Sequence, residues 1–328
     1  MDSSELINIK SVFSEVKPDL LVMEELIRRQ VKNFHTDLAI ALDLLLSAGG
    51  KRIRPTIIIL LGKCLNTDYD RLITLAASIE LLHTATLVHD DLIDGSILRR
   101  GSPTLNSKWS AGATVLTGDF LFAAAAKLAS ETKSNEVMKL FSDTLSTIVN
   151  GEISQMFSPR CKPGIDEYYK RIYAKTASLF ETSATATGII SEAGQDIIQS
   201  LSLFGREIGM AFQIADDILD FTGDESILGK PIGSDLRQGL ITLPTELFFE
   251  ANPDHVLVKK ILTDGCLTDP SDISQLIEDI HHNSVIEKSY EMAESFINRG
   301  IRALTPLPDC REKEMLQSLA LSQARRIQ

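Results

Sequence analysis

Two groups of three aspartates are the residues best suited to chemistry in this sequence. They share one spacing and consist of Asp90, Asp91 and Asp94 (the first triad) and Asp216, Asp217 and Asp220 (the second triad). Acids at positions i and i+4 of a helix lie on the same face. Away from bulk water, two such charges roughly 5 Å apart repel by about 3 kcal/mol at an effective dielectric of 20. Raised pKa values, a water-filled cleft or bound cations would relieve this repulsion, and an all-oxygen ligand set favours Mg²⁺.

A solvated helix end is the ordinary explanation of a single acidic group, and Gly95 and Ser96 after the first triad fit it. The second copy weakens that explanation, because both triads end a helical pattern that is otherwise almost wholly apolar. We therefore expect the two triads to face each other across a cavity.

The elements that position the triads are predicted to be helices. Apolar residues recur at i, i+3 and i+4 from Leu72 to Ala85, and the faces between them are apolar too, which predicts a helix buried on most sides. A similar pattern precedes the second triad. Other helical segments are predicted at 18–48, 56–65, 112–130, 135–157, 165–190, 244–252, 255–263, 271–281, 284–300 and 312–326. Because no useful length of strand alternation lies between turn signals, we expect an all-α fold.

The composition is that of a globular protein. The chain has 328 residues, of which 44% are hydrophobic and 24% charged, and no Pro/Gly/Ser-rich linker divides it, so we expect one domain over 1–328. A net charge of −12 argues against a nucleic-acid partner. The start of the chain lacks signal-peptide order and no uncharged apolar run approaches 18 residues, so we expect no transmembrane segment and a cytoplasmic location. The scattered cysteines are predicted to be reduced thiols, namely Cys64, Cys161, Cys266 and Cys310.

Basic residues near the triads are candidates for binding an anion. Lys51 and Arg54 follow the helix stop Gly49-Gly50, where charge at a helix end and an anion site are both open explanations. His83 lies two turns before Asp90 on the same face, and a core histidine explains it equally well. Arg99 and Arg100 after the first triad can present bidentate forks to phosphate oxygens.

The roles of two further lysines cannot be assigned from the neighbouring residues alone. Lys175 precedes Thr176 among small residues of a predicted helix, where a solvent-exposed lysine is the ordinary explanation. Lys230 lies near the middle of TGDESILGKPIGSDLRQG, which is rich in glycine and polar residues and is predicted to be a mobile loop.

Taken in order, the motifs resemble those of the trans-isoprenyl diphosphate synthases, also called polyprenyl synthetases. The matching segments are GGKRIRP, LLHTATLVHDDLID, LRRG, KT, FQIADDILD and GKPIGSDLRQG, and the resemblance covers roughly Gly49 to Pro244. The resemblance implies an isoprenoid synthase fold, a single all-α bundle of about ten or more helices around a central active-site cavity.

The resemblance also implies roles for individual residues. All six triad aspartates would bind Mg²⁺, with three ions present when substrate is bound. The allylic diphosphate would contact Arg99, Lys175 and Lys230, and the same site would be lined by Thr176 and Gln213. The diphosphate of isopentenyl diphosphate would be bound by Lys51, Arg54, His83 and Arg100. One position departs from the pattern, because many members have a lysine where this chain has Leu240.

The implied reaction is a head-to-tail condensation of isopentenyl diphosphate with an allylic diphosphate, by ionisation, condensation and proton elimination. Ala85 and Thr86 lie about one turn, roughly 5.4 Å, before Asp90, close to the span of an isoprene unit. Short-product members tend to have bulky aromatics there, so the small residues predict a product of geranylgeranyl length or longer. A homodimer is expected from the resemblance alone.

Three alternatives to this hypothesis remain open. A class I terpene cyclase ionises the same substrates with one aspartate triad, but the second triad and the basic pair Lys51 and Arg54 argue against it. A non-catalytic subunit of a heteromeric synthase typically lacks one triad. A metal-stabilised helical scaffold leaves the basic residues unexplained.

Overall fold

The computed structural model describes residues 7–99, 101–223 and 231–325, and helices dominate this part of the chain. The first elements are α1 (Ile9–Arg29), α2 (Thr36–Ser47), α3 (Ile53–Cys64), α4 (Tyr69–Ile93), β1 (Leu98–Arg99), β2 (Ser102–Pro103), α5 (Leu105–Lys108), α6 (Ala111–Glu131) and α7 (Asn135–Phe157). They are followed by α8 (Ile165–Ile172), a π-helical segment (Tyr173–Ala177), α9 (Ser178–Ile190), α10 (Gln195–Thr222), α11 (Ser234–Arg237), α12 (Leu243–Ala251), α13 (Val256–Asp264), α14 (Pro270–His281), α15 (Val285–Ala303) and α16 (Arg311–Arg325). The predicted all-α fold is confirmed.

The chain divides into two units by its internal contacts. The first unit consists of Met1–Thr144, Leu179–Leu203 and Leu304–Leu319. The second unit consists of Leu145–Ser178, Phe204–Ala303 and Ala320–Gln328. The first triad lies in the first unit and the second triad in the second unit.

Helix α4 is the central element of the first unit. The Asp68 side chain caps it by accepting a hydrogen bond from the backbone N–H of Arg71 at 3.0 Å, which satisfies one of the donors left open at a helix start. The helix packs against α1, α3 and α6. Leu75, Ala76 and Ala77 are consecutive residues that point in different directions around the helix, and all three are fully or almost fully buried. This confirms the prediction of a helix buried on most sides.

Gly62 in α3 allows a close approach between α3 and α4. A Cβ atom added at Gly62 would lie 2.2 Å from Cδ1 of Leu72, whose side chain is 1% exposed and has little room to move. We expect Gly62→Ala to lower the free energy of unfolding by about 1–3 kcal/mol because it overpacks this contact. Gly112→Ala in α6 is the matched control, since an added Cβ there meets nothing within 4 Å. Chemical denaturation measures both, and equal stability of the two variants would contradict the prediction.

The core of the second unit gathers apolar side chains from helices distant in sequence. Its buried members include Ile214 and Ile218 of α10, Phe248 of α12, Ile277 of α14 and Ala293 of α15. Helix α12 contacts α14, α15 and α8. The C-terminal half of α10, which contains the second triad, is thus fixed by a core on its apolar face.

The N-terminal helical pattern differs from the prediction of one segment over 18–48. The helix begins at Ile9, where the Asn8 side chain accepts a hydrogen bond from the backbone N–H of Lys10 at 2.9 Å, so Pro18 lies inside α1. A second helix starts at Thr36 with His35 as its cap. Apolar periodicity continues across the break, so periodicity alone did not reveal it.

Two of the four cysteines contradict the prediction of reduced thiols. Cys161 and Cys266 form a disulfide with an S–S distance of 2.07 Å, and 105 residues separate them. The backbone N–H of Cys161 donates to the carbonyl of Gly239 at 2.9 Å, which fixes the loop after α7 beside the segment that follows α11. Cys64 and Cys310 are free thiols. The pairing joins distant loops of the second unit, and no spacing rule in the sequence reveals such a contact.

Two helices are long and apolar enough to cross a membrane by length and composition, namely α4 and α6. Within the most apolar stretch of each, 72% of the residues of α4 and 39% of those of α6 are buried inside the protein. An interior helix of a soluble protein has the same composition, so this is weak evidence for a membrane span.

Candidate active site

The first triad lies at the carboxyl end of α4, where Asp94 is the C-cap residue. Asp90 is half-buried, Asp91 is buried and Asp94 is exposed. The carboxyl end of a helix has a partial negative charge that disfavours acids, and the last turn of α4 contains no basic residue. Carboxylates at this position therefore favour an incoming cation.

Arg99 is a basic residue that contacts the first triad directly. Its Nε donates to Oδ1 of Asp91 at 2.7 Å. Arg99 lies in β1, which pairs with β2 in a short antiparallel hairpin whose turn contains Gly101 at a φ of +76°. The basic turn expected after Asp94 is thus a hairpin directed back at α4. Arg100, also expected to bind diphosphate, lies outside the described residues.

Burial raises the pKa of the Asp91 carboxyl above its ordinary value, and the neighbouring charge of Asp94 raises it further. The Arg99 guanidinium acts in the opposite direction. A raised carboxyl pKa is one of the ways in which the repulsion within the first triad is relieved, and Asp91 shows this direction.

The basic residues after Gly49 lie in two different environments. Arg52 is almost buried, and its Nη1 donates to Oε1 of Glu80 at 2.6 Å while it also pairs with Glu24 at 3.1 Å. Glu80 is only 4% exposed, so Arg52 neutralises a buried carboxylate of α4. Arg54 lies in the first turn of α3, 4.3 Å from the centre of the Phe180 ring, in a turn without acidic residues. A helix N-terminus with this charge favours an anion.

The remaining predicted residues of the first unit lie on or next to the same two helices. Lys51 is exposed just before α3, and His83 is half-buried on α4. Ala85 is fully buried, whereas Thr86 is half-buried and its hydroxyl donates to the carbonyl of His83 at 2.7 Å. Ala85 and Thr86 therefore differ in how much space surrounds their side chains.

Asp217 of the second triad is held by two side-chain donors. It is 3% exposed, and each of its carboxylate oxygens accepts a hydrogen bond. The Tyr168 hydroxyl donates to Oδ2 at 2.7 Å and Nε2 of Gln213 donates to Oδ1 at 2.8 Å. Burial, followed by the charges of Asp235 and Asp216, raises the pKa of Asp217 to about 7, although both hydrogen bonds oppose the rise.

Asp216 and Asp220 complete the second triad. Asp216 is half-buried and Asp220 is 1% exposed. The backbone N–H groups of Gly233 and Asp235 donate to the carbonyl and to Oδ2 of Asp220 at 2.8 and 3.0 Å. The segment with the sequence SDLRQG is therefore anchored on this triad. Leu240, where many family members have lysine, is half-buried, and Lys230 lies outside the described residues.

Lys175 and Thr176 lie in the π-helical segment Tyr173–Ala177, an irregularity that is frequent at functional sites. Nζ of Lys175 pairs with Oε1 of Glu152 at 2.7 Å, and the hydroxyl of buried Thr176 donates to Oε1 of Gln213 at 2.7 Å. Gly151 permits the close approach of α7, because a Cβ there would lie 2.6 Å from Cβ of Ala174. Sequence spacing revealed neither the role of Glu152 nor the π-helical segment.

The residues fit magnesium better than a softer metal. Both triads offer only carboxylate oxygens, the ligands that Mg²⁺ prefers. Among the described residues, no three His, Cys, Asp or Glu side chains already form a metal cage. Mg²⁺ is commonly held by one or two carboxylates plus substrate phosphates, which is the arrangement that separate carboxylates permit. The expected placement of the triads opposite each other stays a prediction.

Comparison of the sequence with known proteins identifies relatives over nearly its whole length. Residues 35–280 match the family model described as polyprenyl synthetase. The chain is 37% identical to heptaprenyl diphosphate synthase component 2 of Geobacillus stearothermophilus, across 95% of this chain and 97% of that relative. It is 35% identical to octaprenyl diphosphate synthase of Escherichia coli (strain K12), across 84% of this chain and 86% of that relative.

Solved structures of polyprenyl synthases also match the chain over nearly its whole length. The polyprenyl synthase of Caulobacter crescentus CB15, solved in complex with calcium and isoprenyl diphosphate, matches with a TM-score of 0.90 at 30% identity over 99% of both chains. Heptaprenyl diphosphate synthase of Staphylococcus aureus matches with a TM-score of 0.89 at 32% identity, over 99% of this chain and 100% of that one. The chain therefore belongs to the polyprenyl synthetase family and is a prenyltransferase enzyme.

Proposed function

We propose that the chain is a trans-polyprenyl diphosphate synthase that condenses isopentenyl diphosphate head to tail with an allylic diphosphate. The observation that supports this most directly is the pairing of each aspartate triad with a phosphate-binding group of its own unit. Arg99 contacts Asp91 in the first unit, and Thr176 beside Lys175 is linked through Gln213 to Asp217 in the second. Because the chain belongs to the polyprenyl synthetase family, we assign the aspartates to metal binding and the basic residues to diphosphate binding.

The six aspartates of the two triads are the proposed ligands of three Mg²⁺ ions that bind together with the allylic substrate. When bound, such ions neutralise the negative charge that develops on the departing diphosphate. The oxygen-only donors and the position of the first triad at a helix carboxyl end support this assignment.

The basic residues are proposed to divide between the two substrates. The allylic diphosphate contacts Arg99, Lys175 and Lys230, in a site lined by Thr176 and Gln213. The diphosphate of isopentenyl diphosphate is bound by Lys51, Arg54, His83 and Arg100. Glu152 then gives up its pairing with Lys175 when the substrate arrives, since the diphosphate offers that ammonium group more negative charge.

The reaction needs no nucleophilic side chain. The allylic carbon–oxygen bond breaks and its electron pair leaves with diphosphate, so that Arg99 and Lys175 stabilise the developing charge. The double bond of isopentenyl diphosphate attacks the allylic cation, and the proton lost afterwards goes to the departing diphosphate. The small residues Ala85 and Thr86 leave room for a product of geranylgeranyl length or longer. The relatives named as hepta- and octaprenyl diphosphate synthases support a long product.

The assembly and location are also proposed. The chain acts as a homodimer of a single polyprenyl synthetase domain spanning 1–328. Exposed apolar side chains support self-association, with Leu116 69% exposed in the first unit and Phe157 84% exposed in the second. A soluble, cytoplasmic enzyme is proposed because both helices with membrane-like composition are partly or mostly buried.

One assay tests the proposed function. The purified full-length protein is incubated with Mg²⁺, labelled isopentenyl diphosphate and each allylic primer, and the products are separated by chain length. We expect Mg²⁺-dependent elongation to prenyl diphosphates of geranylgeranyl length or longer. Cyclic hydrocarbons formed without isopentenyl diphosphate would instead identify a terpene cyclase.

A second candidate follows from the name of one relative, which is a component of a heptaprenyl diphosphate synthase. If the purified chain alone forms no product but becomes active when a second polypeptide is added, the chain is one subunit of a heteromeric enzyme. Both triads are complete in this chain, which favours activity without a partner.

A further inference from the structure

Tyr168 is a fully buried residue of α8 that belongs to none of the sequence motifs. Its relative exposure is 0%, and its hydroxyl donates to Oδ2 of Asp217 at 2.7 Å. The acceptor is 3% exposed, so water contributes little to this carboxylate. A buried carboxylate is costly unless protein donors replace its hydration. Tyr168 provides one of those donors.

The hydroxyl is one end of a hydrogen-bonded series within the second unit. On the other side of Asp217, Oδ1 accepts from Nε2 of Gln213 at 2.8 Å. Oε1 of that amide accepts from the Thr176 hydroxyl at 2.7 Å. The series therefore runs from Tyr168 through Asp217 and Gln213 to Thr176, and links the second triad to the π-helical segment containing Lys175.

The ring of Tyr168 is itself fixed, so its hydroxyl has a defined direction. The Arg171 guanidinium lies 5.5 Å from the ring centre, and Tyr169 makes an edge contact with centroids 5.4 Å apart. Arg171 in turn donates to the carbonyl of Ile241. A donor held this way fixes the orientation of its acceptor, because an alternative Asp217 rotamer would leave a buried hydroxyl without its bond.

We propose that Tyr168 is a positioning residue of the second triad, whose hydroxyl holds the Asp217 carboxylate in the orientation that binds Gln213. This inference rests on the proposed synthase function. Groups that orient ligands at one remove from a metal commonly change metal affinity or activity by 10–100-fold when they are removed. The expected consequence here is weaker Mg²⁺ and diphosphate binding, without any contact between Tyr168 and the substrate.

The test compares Tyr168→Phe with Tyr169→Phe in the full-length enzyme. The first change removes only the hydroxyl donated to Asp217, and the second makes the same chemical change at the next residue of the same helix. We expect Tyr168→Phe to lower kcat/KM for the allylic diphosphate by about 10–100-fold and to raise the Mg²⁺ concentration needed for half-maximal rate. Tyr169→Phe should stay within about twofold of the unsubstituted enzyme on both measures.

A double-mutant cycle separates positioning from a general loss of stability. If Tyr168 acts through Asp217, then Tyr168→Phe added to Asp217→Ala should cause little further loss of rate. The low rates are measured with labelled isopentenyl diphosphate over long incubations. An equal fold-loss in both backgrounds, or an unchanged Mg²⁺ requirement in Tyr168→Phe, would overturn the inference.

Two controls keep the outcomes distinct. If Tyr168→Phe does not fold, as judged by circular dichroism, Gln213→Leu is tested instead, because it removes the opposite donor to Asp217. This variant must raise the Mg²⁺ requirement, and adding it to Asp217→Ala must cause little further loss of rate. If the unsubstituted enzyme forms no prenyl product, the proposed function has failed. If it is active and Tyr168→Phe matches Tyr169→Phe, only the role of Tyr168 has failed.

Discussion

Replacing Asp90 or Asp216 by alanine should lower turnover by about 10²–10³-fold while leaving the helical fold intact. Both carboxylates are half-buried members of the triads proposed to bind Mg²⁺. The ions stabilise charge that develops only in the transition state, so a lost ligand should act mainly on kcat. Steady-state rates over a series of Mg²⁺ concentrations measure the effect, and a higher Mg²⁺ requirement should accompany the lower rate.

The matched controls for these variants lie on the same two helices. Asp70 and Asp196 are exposed acids in the first turns of α4 and α10, at the opposite ends from the triads. Asp70→Ala and Asp196→Ala should lower stability by about 0.3–1 kcal/mol, because an acid favours the positive end of a helix, and should leave turnover nearly unchanged. If Asp90→Ala were as active as Asp70→Ala, the first triad would not be the metal site.

Placing phenylalanine at position 85 or 86 should shorten the product to about geranylgeranyl length or less. Both positions lie about one helical turn before Asp90, so an aromatic ring there obstructs a prenyl chain extending from the first triad. The structure predicts different costs for the two changes. Ala85 is fully buried, so Ala85→Phe should cost about 1–3 kcal/mol of stability through overpacking. Thr86 is half-buried, so Thr86→Phe should cost less.

Product chromatography and thermal unfolding distinguish the chain-length effect from the packing effect. Ala77→Phe is the control, because Ala77 is also fully buried on α4 but lies two turns further from Asp90. It should lower stability as Ala85→Phe does and leave the product distribution unchanged. Unchanged products from both Ala85→Phe and Thr86→Phe would show that the growing chain does not pass these positions.

Local sequence patterns determined most of the secondary structure and the residue types of the site. The apolar periodicity through α4 predicted a helix buried on most sides, and the structure confirms it. The repeated aspartate spacing identified both triads and left raised pKa values as one of several explanations, and burial does raise the pKa of Asp91 and Asp217. These inferences succeed because helical spacing relates residues three or four apart, a separation that the sequence displays directly.

The tertiary structure decided which residues fix the site. Arg52 lies between Lys51 and Arg54 in the sequence, but the structure pairs it with Glu80, 28 residues away. Tyr168 donates to Asp217 across 49 residues, a contact that no helical spacing predicts.

The disulfide is likewise a contact between distant residues that only the tertiary structure shows. Cys161 and Cys266 are 105 residues apart and meet because the loop after α7 and the loop after α13 both lie against Gly239 in the segment after α11. The sequence by itself thus determined most of the helices, the two triads and the family. Which side chains hold those triads in place was decided only by folding, because contacts between distant residues depend on packing and leave no local period in the sequence.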